Sequence, residues 1–152
     1  VTKLQYLRKK YKLTQTQVQL KIGVDQSDYS KIETGILQMT YMQCRDLAIL
    51  FHTSMDYLAG LTDEEIPHLR KNSEPNHSFY KLRYLREKHN ITQRQIEKAI
   101  GINQSNYSKL ESGKRYLNYT KCKALAMLLH TSMDYLADLT DEESPYPAKQ
   151  AK

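Results

Sequence analysis

Sliding the sequence by 78 residues lays Lys3–Glu65 on Lys81–Glu143 without a gap, and 36 of the 63 paired positions are identical. The longest unbroken match is HTSMDYLA, at His52–Ala59 and His130–Ala137. A repeat of this length overrides the single-domain expectation that 152 residues would otherwise carry. The four prolines, Pro67, Pro75, Pro145 and Pro147, fall outside the two stretches. The expected organisation is a first domain over 1–65, a linker over 66–80, a second domain over 81–143 and a polar tail over 144–152. Units this small bury only about 60% of their unfolded surface. Each therefore needs a compact helical core or help from its neighbour.

The residue pattern within one unit is helical throughout. Leu4, Leu7 and Tyr11 share one helix face. Thr14 opens TQTQ, and Thr92 opens TQRQ, both matching the reciprocal N-terminal capping box. A second helix should run to about Ile22 and stop at Gly23, a residue that enters the left-handed conformation freely. Asp25 is a good N-cap for a third helix from Gln26 to about Glu33, closed by Gly35. Thr40 caps a fourth helix, with Cys44, Leu47, Ala48 and Phe51 along one stripe. His52 suits a turn at positive φ, and Ser54 caps a last short helix with Leu58 and Leu61 inward. Nothing alternates with period two, so no sheet is expected. Two short helices joined by a glycine-started, three-residue turn form a helix-turn-helix unit. In its DNA-binding use, the second of these helices enters the major groove.

Charge separates the two copies. Residues 3–65 hold 8 Lys+Arg against 8 Asp+Glu, whereas residues 81–143 hold 11 against 8, within a net charge of +6. The second copy is the one suited to a polyanion. Cys44 and Cys122 occupy equivalent positions, and no Cys/His cluster has zinc-ligand spacing. Both cysteines are expected to be small buried hydrophobes. No apolar run approaches the ~18 residues of a membrane span, and the N-terminus given shows no apolar signal core. A cytoplasmic protein, in the prokaryotic cytosol or nucleoid, is expected, with no membrane association. No Ser/His/Asp constellation or phosphate-cradling glycine loop is present, so neither an enzyme nor a bound cofactor or metal is expected.

The stretches LRKKYKLTQTQVQLKIGVDQSDYSKIETG and LREKHNITQRQIEKAIGINQSNYSKLESG resemble the five-helix DNA-binding domain of the phage Cro/repressor family, the Xre-type transcription regulators. The resemblance covers both copies in full and implies an all-α protein of two tandem lambda-repressor-like domains joined by a linker. It implies roles residue by residue. Gln26, Ser27, Asp28 and Lys31, with Gln104, Ser105, Asn106 and Lys109, match base-reading positions. A glutamine amide there suits adenine. Gln15 and Gln93 match a phosphate-contacting glutamine that also buttresses the reading helix. Arg94, Lys114, Arg115 and Tyr119 match further phosphate-contacting positions. Arg8–Glu33 and Arg86–Glu111 match structural ion pairs between the first helix and the reading helix. Tyr29 and Tyr107 match inward, core positions.

The copies diverge on this expected DNA face. Asp28 stands opposite Asn106, Thr16 opposite Arg94, and Ile36 and Leu37 opposite Lys114 and Arg115. Two readings follow. Both copies bind DNA as a covalent pseudo-dimer, with Asp28 accepting from cytosine where Asn106 reads adenine. A flexible 15-residue linker reaches ~20 Å root-mean-square and half-sites lie about 34 Å apart, so spanning is allowed without being dictated. Alternatively, the first copy has turned towards association, as a homodimer or with a protein partner, through Ile36, Leu37 and Met39. The function expected is a double-stranded-DNA-binding transcription regulator, a repressor, with the second domain the stronger reader. The rival is an antitoxin or adaptor whose helix-turn-helix units mainly bind another protein.

Overall fold

The computed structural model describes residues 1–68, 79–115 and 117–148. Most of the expected linker (69–78) and the end of the tail (149–152) lie outside the described residues. Among those described, the chain is helical and contains no strand. The first unit holds α1 (Lys3–Lys10), α2 (Gln15–Ile22), α3 (Gln26–Thr34), α4 (Tyr41–Leu50) and α5 (Met55–Leu58). The second holds α6 (Phe79–Lys88), α7 (Gln93–Ile100), α8 (Gln104–Glu111), α9 (Tyr119–Leu128) and α10 (Met133–Leu136). No described helix is long and apolar enough to cross a membrane.

The helix ends follow from local chemistry. Thr14 and Thr92 accept a hydrogen bond from the N3 backbone N–H while Gln17 and Gln95 accept from the cap's own N–H, completing both capping boxes. Thr2 and Gln5 form the same motif ahead of α1, a cap that the sequence pattern alone did not assign. Gly23 and Gly101 close α2 and α7 at φ of 71° and 69°, a left-handed conformation that penalises any Cβ. His52 and His130 sit at φ of 51° and 53°, as the turn assignment expected.

Each unit packs an apolar interior, but the two interiors are not separate. Cys44, Ala48, Met55 and Ala59 of the first unit belong to the same buried cluster as Leu85, Ile96, Tyr107, Cys122, Leu125 and Met133 of the second. A smaller cluster of Leu4, Leu7, Val18, Tyr29, Ile32, Leu47 and Phe51 completes the first unit. Two small domains thus share one core, which supplies the neighbour's help that their size requires. α4 packs on α9, and α5 on α10.

The seam is held by a reciprocal pair of aspartates. Asp56 Oδ1 accepts from the backbone N–H of Met133 at 2.8 Å, and Asp134 Oδ1 accepts from that of Met55 at 2.8 Å. Asp56 Oδ2 also accepts from the Asp134 N–H at 3.2 Å. Each short helix is therefore served at its N-terminus by a carboxylate from the other domain, in addition to its own serine cap. Burial and the nearby Asp134 charge push the Asp56 carboxyl up to about 7. Burial, with these carboxylates beside it, likewise raises the Cys44 thiol far above the physiological range, so the thiol stays protonated.

The correspondence between halves continues past residues 65 and 143. Pro67 and Pro145, and His68 and Tyr146, are also 78 apart. The His68 and Tyr146 rings stack face to face at 3.8 Å, 7° from parallel. The Tyr146 hydroxyl donates to Asp134 Oδ2 at 2.8 Å and accepts from the His68 N–H at 2.8 Å. The segment expected as a polar tail thus contributes a buried ring to the seam.

Candidate nucleic-acid interface

α3 and α8, the second helices of the two helix-turn-helix units, are oriented by the same constellation, a buried glutamate held by a half-buried arginine and glutamine. In the first unit Arg8 Nε lies 2.7 Å from Glu33 Oε1, and Arg8 Nη1 donates to the Leu13 carbonyl at 3.1 Å. Gln15, the first residue of α2, donates through Nε2 to Glu33 Oε2 at 2.6 Å. In the second unit Arg86 donates to both oxygens of Glu111, at 3.0 and 2.8 Å, and Gln93 Nε2 lies 3.3 Å from Glu111 Oε1. Burial disfavours the Glu111 carboxylate, but the bonds from Arg86 and Gln93 outweigh it and hold its pKa below the ordinary range. One glutamate near each reading helix's end therefore ties together three helices. The Arg fork suits a carboxylate with little water around it.

This brace leaves the N-terminal half of each reading helix facing outward. Gln26, Ser27, Asp28 and Lys31 are exposed on α3. Gln104, Ser105 and Lys109 are exposed on α8, and Asn106 is half-exposed. Tyr29 and Tyr107 point inward and are fully buried. The caps explain one of the two Asp/Asn differences. Asp25 accepts from the Asp28 N–H at 2.7 Å and Asn103 from the Asn106 N–H at 2.8 Å, so either residue serves as the cap. Residues 28 and 106 lend only their backbone to that bond, and their side chains remain at the surface.

Basic groups outnumber acidic ones around α8. Gln93, Arg94, Glu97, Lys98, Ile102 and Gln104 line a cleft of about 500 Å³ between α7 and α8. Lys114 and Arg115 are exposed just beyond α8. Tyr119 is set apart from them. Its ring is half-buried against the shared core, and burial raises its phenol to about 12. In the first unit Ile36 is 80% exposed and Leu37 41%, where the second unit carries Lys114 and Arg115. Met39 is half-buried: it lines a cleft together with Ile36 and Leu37 and also packs against both apolar clusters. Arg45 is drawn into the seam, its Nε donating to the Ala137 carbonyl at 3.3 Å.

The helix-turn-helix family profile matches the chain twice, over residues 4–58 and 82–136. The chain belongs to the helix-turn-helix family, as a tandem Xre/Cro-like member. Both matches run from α1 or α6 through the last short helix, so the family fold covers all ten described helices. The chain is 37% identical over 65 residues to the HTH-type transcriptional regulator YobD of Bacillus subtilis strain 168, itself uncharacterised. That match covers 43% of this chain and 58% of the relative, so the chain spans little more than half of the relative's length. No solved structure matches the chain.

Motifs alone did not bring together the residues that join the domains. Asp56 and Asp134 lie inside the two family matches, in the repeated SMDYL stretch, whereas His68 and Tyr146 lie beyond them. A signal was present: the longest identical run of the repeat contains Met55–Asp56 and Met133–Asp134, the pieces that clasp each other.

Proposed function

We propose that this chain is a sequence-specific, double-stranded-DNA-binding transcription regulator that represses by occluding its site, with the second domain the stronger reader. The observation that carries the reading is the paired outward surface: glutamine, serine and lysine at matching exposed positions on two helices, each braced by an Arg–Glu–Gln cluster around a buried glutamate. Domain 2 adds Arg94, Lys114 and Arg115 beside its reading helix. Each phosphate they neutralise contributes about 0.9 to the salt slope of binding. The site of action follows as the cytosol or nucleoid of a prokaryote.

A second reading is favoured by the exposed Ile36 and Leu37, which give the first domain an apolar corner suited to a protein partner. Selection of bound duplexes from a random library separates the two. An enriched motif supports DNA reading. Arg115→Ala should then weaken binding across all sequences and flatten the salt slope by about 0.9, and Gln104→Ala should relax preference at one base pair for about 1–3 kcal/mol. If no motif is enriched at moderate salt, the chain is an adaptor and DNA reading is wrong.

A further inference from the structure

The two domains meet through an isologous interface. Residue 56 of the first domain accepts from residue 133, and residue 134, its equivalent in the second, accepts from residue 55. His68 and Tyr146, equivalent positions, stack on each other. Equivalent helices also pair with each other, α4 with α9 and α5 with α10. An interface in which each patch meets its own equivalent is generated by a twofold axis, whereas a head-to-tail arrangement joins two different patches. The reading helices are therefore related by a pseudo-twofold, and DNA that engages both must present its half-sites as an inverted repeat.

Within the first six residues of the reading helices the pseudo-twofold is broken at one position, and it faces outward. From their first residues, α3 reads QSDYSK and α8 reads QSNYSK. Asp28 is exposed, and a carboxylate, which only accepts, suits the cytosine N4 amino group. Asn106 both donates and accepts, which suits adenine N6 and N7. Two identical chains would have to read the same base in both halves. Here the two halves are one chain, so the arms are free to differ, and the seam holds them in one order.

The geometry points to a polar operator: an inverted repeat whose arms differ at the base pair read by residue 28 or 106, bound by one chain in one orientation. Asp28 and Asn106 are the residues that set that orientation. The Gln26/Gln104 and Lys31/Lys109 pairs read base pairs common to both arms. Basic groups that domain 1 lacks, at 94, 114 and 115, shield phosphates on the Asn106 arm.

This inference rests on the DNA-reading function proposed above, and the test separates the two. The site is first selected from a random duplex library with the intact chain. Wild type, Asp28→Asn and Asn106→Asp are then titrated against the selected duplex and its two symmetrised forms, each with one arm duplicated. Both substitutions install the residue that the other domain already carries at an equivalent surface position, so the fold tolerates them. The expected result is one chain per duplex and an asymmetric inverted repeat. Asp28→Asn should prefer the duplex with two Asn106-type arms, and Asn106→Asp the duplex with two Asp28-type arms. Each mismatched arm should weaken binding about 5–150-fold. A direct repeat, a single half-site, two chains per duplex, or arm preferences unmoved by either substitution overturns the polar operator while DNA reading stands. Failure to enrich any sequence overturns both.

Discussion

Replacing Asp56 by asparagine should change how stability depends on pH, in a direction the seam dictates. Asp56 is 3% exposed, faces Asp134, and titrates near 7 rather than near the ~3.9 of a free aspartate. The folded chain therefore holds this proton more tightly than the unfolded chain. Its contribution to stability is fully present below about pH 4 and is lost as pH rises to about 7. A titration displaced over that whole interval is worth at most about 4 kcal/mol, before the other carboxylates act in the opposite sense. Asparagine mimics the protonated form. It retains an oxygen for the 2.8 Å bond from Met133 and loses the 3.2 Å bond from Asp134, at about 1 kcal/mol. Urea unfolding of both proteins from about pH 4.5 to 8 isolates the effect as a difference curve. The variant should match or fall slightly below wild type at the acid end, and exceed it by about 2–3 kcal/mol at the alkaline end. Parallel curves across that range would refute the argument that a like-charged carboxylate pair burdens the seam at neutral pH.

Three further outcomes can be checked. Glu33→Ala leaves the Arg8 guanidinium and Gln15 amide without their buried acceptor and should cost about 3–5 kcal/mol in chemical denaturation. The Tyr29 hydroxyl is buried without a hydrogen-bond partner among the described residues, so Tyr29→Phe should leave stability unchanged or raise it by about 1 kcal/mol, read as a higher melting temperature. Tyr146→Phe removes the hydroxyl that joins Asp134 to the His68 N–H and should destabilise by about 1–3 kcal/mol, with faster amide exchange at His68.

Much of the fold was legible because its determinants are local. T-x-x-Q boxes, glycines after Ile22 and Ile100, and an Asp or Asn before each reading helix mark helix ends through contacts within a few residues. The Arg8–Glu33 and Arg86–Glu111 pairs lie 25 residues apart in sequence, and only the family resemblance brought them together. Ile36, Leu37 and Met39 looked alike in sequence and line one cleft, yet Met39 is half-buried against the apolar clusters while the other two are exposed. Their different fates depend on where the second domain docks. Tyr119 is held against the seam for the same reason.

Two units, their helical character, the places where helices begin and end, and the outward residues of the reading helices are all written in the amino-acid order. Those features depend on backbone capping, on the 3.6-residue period and on a repeat visible as letters. How the halves meet is settled in three dimensions. The shared core, the aspartates serving each other's helices and the His68–Tyr146 stack join residues nearly eighty positions apart. No local propensity encodes such contacts, because their energy exists only once both domains have folded and docked. From that docking comes the pseudo-twofold axis that makes one chain equivalent in geometry to a dimer.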